Sequence, residues 1–168
     1  IKLNPAKEGS VSQIADRIFS SFIWSEEHYA NKSYEGLKVA IKSLKNKKEP
    51  TTLESIYHEL KRLIELASSN KDKLDSKMVD GIITRLGNII DTDFGPILKG
   101  KSAKSFNDLR NSNKCIYIGL PVLGYMKSSP SLGKILLGDL ATMVHSTFRL
   151  NTYESKQALS PLALYVDE

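Results

Sequence analysis

The sequence predicts a mainly α protein, a helical bundle followed by a short βαβ piece. Apolar residues recur with a 3.6-residue period through the first hundred positions, the mark of amphipathic helices. Two short apolar runs, Cys115–Leu120 and Leu162–Val166, then flank one further helical stripe. With 168 residues, 40% of them apolar and 26% charged, the chain has an ordinary globular composition and the length to bury a sizeable core.

The first stripe is Val11, Ile14, Ala15, Ile18, Phe19, Phe22 and Ile23, and Ser10 with Gln13 has capping-box spacing at its start. Ser25 offers a second N-cap, with Glu26 and Glu27 suited to the positive end of a helix dipole. The helix behind it carries Tyr29, Ser33, Leu37, Ala40, Ile41 and Leu44 on one face. After a polar loop ending at Pro50, Thr51 and Glu54 repeat the capping-box spacing. They precede the stripe Leu53, Ile56, Tyr57, Leu60, Leu63, Ile64 and Ala67. A fourth stripe runs through Met78, Val79, Ile82, Ile83, Leu86, Ile89 and Ile90. Four such helices with short connections predict a bundle.

Beyond residue 105 the texture changes. Cys115–Leu120 is apolar, β-branched and bounded by Pro121, as a buried strand requires. Ser129-Pro130 reads as a helix start with proline at the first position, and Leu132, Leu136, Leu140, Met143, Val144 and Thr147 give that helix a face to about Arg149. Leu162–Val166 is the second strand. Strand, crossover helix and strand make a βαβ unit with parallel strands.

Composition excludes several classes. No apolar run approaches the ~20 residues that span a bilayer. Ile1-Lys2-Leu3-Asn4-Pro5 lacks the regions of a signal peptide, and both ends read as cut from a larger protein. A single cysteine rules out an internal disulfide and suits a reducing cytoplasm, and its apolar surroundings predict a buried, inert thiol. His28, His58 and His145 are far apart, and Arg62 stands where a zinc-protease helix would need its second histidine, so no metal is expected. Trp24 reads as a core or staple residue.

Two features carry chemistry. The second apolar run ends in Asp167-Glu168. A strand of this kind can direct one acid to a magnesium shell and the next to an attacking water, because successive residues point to opposite sides. The alternative is a strand that simply ends in acids at a loop. A phosphate-binding loop does not accompany it: Gly133-Lys134 has Ser128 where the earlier glycine belongs and Ile135 where a hydroxyl belongs. The second feature is basic. The net charge is +5, and Lys38, Lys42, Lys45, Lys47 and Lys48 fall in a stretch without an acid. They can bind phosphates without reading sequence, or form a solvated helix end whose cations suit the dipole. Sparse aromatics argue against stacking on single-stranded bases.

Several stretches together resemble the coupling-protein ATPases of conjugation and type IV secretion, the TraG/TraD-like group. Asn4-Pro5, Ser12-Gln13-Ile14-Ala15-Asp16-Arg17 and Trp24-Ser25-Glu26-Glu27 resemble the segment after the first nucleotide-binding elements of that family. Ile116-Tyr117-Ile118-Gly119-Leu120-Pro121 resembles the strand before Walker B, Asp139-Leu140 lies in the intervening helix, and Leu164-Tyr165-Val166-Asp167-Glu168 resembles Walker B. The resemblance implies three parts: residues 1–9 at the edge of a RecA-like α/β nucleotide-binding domain, an inserted all-alpha domain over 10–104, and a return to the RecA-like domain over 105–168. It implies that Asp167 binds Mg-ATP and Glu168 is catalytic in the parent. The chain itself would be inactive without Walker A and would hold neither ATP nor magnesium. It further implies a hexameric motor at the cytoplasmic face of the inner membrane, anchored outside this soluble segment. That motor would drive DNA or protein into a secretion channel, with channel components, DNA and substrate proteins as partners. Two alternatives stand beside it: a non-catalytic helical module binding DNA or partner proteins, and a RecA-like DNA-pumping motor outside secretion.

Overall fold

A computed structural model describes residues 1–69, 76–100, 102–110, 112, 115–153, 163 and 165. Seven helices lie among them: α1 (Val11–Phe19), α2 (Glu27–Asn46), α3 (Leu53–Ser69), α4 (Ser76–Ile90), α5 (Gly95–Leu98), α6 (Phe106–Arg110) and α7 (Ser128–Tyr153). The fold is mainly helical, and no strand forms among the described residues. Helix α2 packs on α1, α3 and α4, with α3 against α4, while α7 lies against α1, α4 and α6.

The apolar stripes meet in one core. Ile14 and Ile18, Leu37, Ile41 and Leu44, Leu53, Ile56 and Leu60, and Ile82, Leu86 and Ile89 are fully buried, joined by Ile135 from α7. Each such side chain contributes about 1.5–3 kcal/mol relative to exposure. Leu109, Leu132 and Leu136 belong to the same cluster, so the core crosses the expected division at residues 104 and 105.

The first helix start is as expected. Ser10 N–H donates to Gln13 Oε1 at 2.8 Å and Gln13 N–H donates to Ser10 Oγ at 3.2 Å. The next two are displaced by one residue. Helix α2 is capped at Glu26 rather than Ser25, with no side-chain bond to its first turn. At α3 the reciprocal pair is Thr52 and Ser55, at 2.8 and 3.0 Å, in place of Thr51 and Glu54. The reason lies outside the local sequence. Asn4 Nδ2 donates to the Thr51 carbonyl at 2.9 Å and holds that buried residue against the core, and Glu54 turns to Lys99 at 3.0 Å. In α2 Ala30 takes the inward position and Tyr29 is exposed.

The βαβ expectation needs correction. Cys115–Leu120 is without regular secondary structure, Cys115 is exposed, and Tyr117 is 93% exposed. Only Ile116 and Leu120 rest against the core. A parallel strand needs a neighbouring strand to pair with and helices on both faces of its sheet, and no such strand exists among the described residues. Of the second run, Ala163 and Tyr165 are exposed and in no strand, and the rest lies outside the described residues. Helix α7 starts at Ser128, which places Pro130 third, where a missing N–H still costs nothing. No helix of the described residues is long and apolar enough to cross a membrane.

The N-terminal segment and the segment before α6 meet at one place. Asn4 N–H donates to the Lys104 carbonyl at 2.8 Å, Lys104 N–H donates to the Lys2 carbonyl at 2.9 Å, and Leu3 forms a parallel bridge with Lys104. Beside this junction a buried ion pair ties α1 to α7. Arg17 Nη1 meets Asp139 Oδ1 at 2.9 Å, with both side chains 2–3% exposed. Arg17 also donates to the carbonyls of Pro5 and Glu8 and to Thr142 Oγ1, and Asp139 Oδ2 accepts from Phe106 N–H at 3.2 Å. Among the buried side-chain nitrogen and oxygen atoms of the described residues, Arg17 Nε alone has no hydrogen-bond partner. Burial lifts the Asp139 carboxyl to about 6 against the pull of Phe106 N–H and Arg17, and burial also lowers Arg17. Both shifts say that desolvation outweighs attraction, so the pair specifies a geometry more than it adds stability.

Replacing Asp139 by Asn should cost about 3–5 kcal/mol, because Arg17 keeps its charge in a buried site without a counterion. Urea unfolding of the two proteins at pH 7.5 measures this, and a loss under 1 kcal/mol would show that the pair is dispensable. The Asp139 carboxyl, followed by NMR, should titrate near pH 6. Since that lies above its unfolded value, the penalty of holding it ionised is present above pH 6 and relieved as pH falls toward 4. Gly138→Ala should destabilise despite its better helix propensity. Its Cβ would stand 2.6 Å from Arg17 Cγ, the stem of a side chain whose head cannot move.

Candidate functional site

The basic cluster of α2 falls at its C-terminal end. Lys42, Lys45, Lys47 and Lys48 are exposed and Lys38 is partly covered. Lys38, Lys42 and Lys45 are spaced to share one helix face. The absence of acids in the local sequence is made good from elsewhere. Lys38 pairs with Glu35 at 2.9 Å and lies over the Tyr34 ring at 5.0 Å. Lys47 meets Glu59 of α3 at 3.0 Å, and Lys45 Nζ donates to the Gly9 carbonyl at 2.6 Å. Among the described residues, Lys42, Lys45 and Lys48 are the members of this cluster that form no ion pair.

Glu59 organises this end of the bundle. Its buried carboxylate accepts from Arg62 Nε and Nη2 at 2.7 and 2.6 Å, from Ser43 Oγ at 2.5 Å and from Lys47 Nζ at 3.0 Å. The Arg62 fork, then Ser43 and Lys47, hold its carboxyl down at about 2. One of these partners, Ser43, lies in α2 and another, Lys47, is its C-cap, so Glu59 fixes where the end of α2, and with it the lysines, stands on α3.

That last turn closes in a Schellman motif. Glu49 N–H donates to the Leu44 carbonyl at 3.0 Å and Lys48 N–H to the Lys45 carbonyl at 3.1 Å. Lys48 sits at the left-handed position with φ 55°, where glycine is the usual residue. A lysine there costs on the order of 1 kcal/mol.

A second concavity lies at the opposite end of α2. Trp24, Ser25, Glu26, Tyr29, Ser33, Gly81 and Arg85 line it. Trp24 stacks on Phe19 with centroids 4.7 Å apart, and Arg85 covers the Trp24 ring at 4.3 Å. Trp24 is thus half-buried and packs on the core, as its staple reading expects, and it also forms a pocket wall.

Asp167 and Glu168 lie outside the described residues. Among the described residues no group of three or more histidine, cysteine or acidic side chains could hold a metal. Sequence reasoning missed Glu59 and Arg85. The Glu59–Arg62 spacing of three on a helix was a readable signal, whereas the pairing with Lys47 and the stack on Trp24 were not. No known protein family, curated protein or solved structure matches the chain.

The depressed Glu59 carboxyl has a stability consequence. Its contribution is complete above about pH 4.5 and is lost as pH falls toward 2. Glu59→Gln should therefore destabilise at neutral pH by about 1–3 kcal/mol and flatten the stability profile below pH 4.5. Denaturant unfolding at a series of pH values checks both, and parallel profiles would remove the assigned role.

Proposed function

We propose that this chain is a segment of a coupling-protein motor of conjugation or type IV secretion, with its helical bundle inserted into a RecA-like domain and used to recruit DNA. The observation that supports this reading is the junction at Leu3 and Lys104, which brings the two ends expected for the inserted domain side by side. An insertion must have adjacent ends if its host is to continue undisturbed. The residues quoted for the family resemblance add to it. Asn4, Pro5, Arg17 and Asp139 come from three separate stretches and gather around that one junction.

Cys115–Leu120 would on this reading become a strand when further strands of the parent pair with it, with Ile116 and Leu120 already resting against the core. On this reading Asp167 and Glu168 keep the roles the family implies. Asp167 holds magnesium with its nucleotide, and Glu168 serves the attacking water in the hexameric, membrane-anchored parent. The bundle's contribution is electrostatic. Lys42, Lys45 and Lys48, flanked by Lys38 and Lys47, present charge to a phosphate backbone without selecting sequence. A lysine kept at a glycine position is the local sign that charge is favoured there over stability.

Duplex binding by the purified chain should weaken when Lys42, Lys45 and Lys48 are replaced by glutamate. The slope of log K against log salt should fall by about 0.9 for each lost phosphate contact. Binding that survives this reversal, or an absence of DNA binding, would sink the assignment. Lys48→Gly separates charge from folding: it should raise stability by about 0.5–1 kcal/mol and weaken DNA binding. In the intact parent, Glu168→Gln should bind ATP and fail to hydrolyse it. Full turnover by that variant would remove the motor reading.

A further inference from the structure

The pocket at the start of α2 is unrelated to the lysines, which lie at the other end of that helix. Arg85 is the only cation among its lining residues. Its guanidinium is fixed on three sides: Nη1 donates to the Gly81 carbonyl at 3.0 Å, Nη2 donates to the Ile23 carbonyl at 3.0 Å, and the plane rests on Trp24. Trp24 is itself held, with Nε1 donating to the Phe19 carbonyl at 3.0 Å. Gly81 leaves the floor open, since a Cβ there would stand 3.3 Å from Arg85 Nη1, 3.5 Å from the Trp24 ring and 3.7 Å from Ser33 Oγ. A preorganised arginine keeps N–H groups to offer, and little freedom is lost when an anion takes them.

We infer that this pocket is a docking site for a peptide segment of a partner protein, taking one carboxylate side chain against Arg85 and an apolar neighbour against Ile23 and Tyr29. Size favours a single side chain. The concavity is open to solvent and offers about 260 Å³, below the usual range of pockets that engulf a whole small molecule. Charge favours a carboxylate over a phosphate backbone. Glu26 lies in the lining and Glu27 follows it, so the site sets one cation beside two acids and favours a single carboxylate held directly on Arg85 over an extended polyanion. Glu26 can also accept a peptide N–H. The apolar part comes from Tyr29, a lining residue 47% exposed, and from Ile23, which is 84% exposed and whose carbonyl holds Arg85. Tryptophan, tyrosine and arginine around one concavity form the composition that dominates binding energy at protein interfaces.

Trp24 is the chain's single tryptophan, so its emission reports occupancy of this pocket directly. The probes are an end-blocked Gly-Leu-Asp-Leu-Gly peptide, its Asn counterpart and inorganic phosphate. The Asp peptide should give a saturable emission change, and the Asn peptide should bind about tenfold more weakly, as loss of a charge-assisted hydrogen bond implies. Arg85→Gln should weaken the Asp peptide by a similar factor. Gly81→Ala should do so with helix content, by circular dichroism, unchanged, and it decides the matter if the Arg85 variant fails to fold. Equal binding of the two peptides, or no saturable change, overturns the proposal. Phosphate binding as tightly as the Asp peptide also overturns it, because a general oxyanion site would then stand in its place.

Discussion

The contact between Arg17 and Asp139 is the constraint on which the rest of the arrangement depends. One guanidinium gathers the Pro5 and Glu8 carbonyls, the Asp139 carboxylate and Thr142, and so binds the N-terminal segment, α1 and α7 at one point. Asp139 then reaches the Phe106 N–H at the start of α6. Burial of both charges works against the pair, and geometry is what it supplies: an arginine this deep accepts few alternative placements of its partners. Gly138 is the complement of that choice, since the Arg17 stem occupies the space a side chain there would need.

Around this point the polar interior is unusually well coordinated. Asn4 caps its own turn by accepting from Ala6 N–H and reaches Thr51. Ser105 and Asp108 exchange bonds at the start of α6, and Asp108 takes Lys7 at 2.6 Å. Asn4, Lys7, Glu8, Arg17, Thr51, Ser105, Asp108 and Asp139 thus form a polar belt beside the core, into which Ala6 of the same segment packs. A junction built from hydrogen bonds fixes relative position, whereas an apolar contact alone tolerates sliding.

Helix α2 carries two different chemistries at its ends. Its start presents an aromatic and guanidinium pocket of mixed charge, and its end presents lysines around a satisfied glutamate. Its length holds them apart, twenty residues at about 1.5 Å each. The apolar middle, Leu37, Ala40, Ile41 and Leu44, contacts α1, α3 and α4. A rigid core element thereby spaces two surfaces that recognise different partners on the reading given above.

By itself the sequence determined the bundle. The 3.6-residue stripes and the Ser10–Gln13 box are local facts, and burial of an apolar face follows from them wherever the partner helices stand. It also marked Asn4, Pro5, Arg17 and Asp139, without showing that they meet. What the tertiary structure decided is everything that depends on partners distant along the chain. Thr51 was drawn inward by Asn4, so the cap of α3 passed to Thr52. Lys47 lost its open charge to Glu59, and Asp139 took the inward place on α7 that an apolar count gives to Leu140. Cys115–Leu120 shows the same limit from the other side. Its residues favour a strand, but a strand exists only when a neighbour donates and accepts along its edge, and no local pattern supplies one.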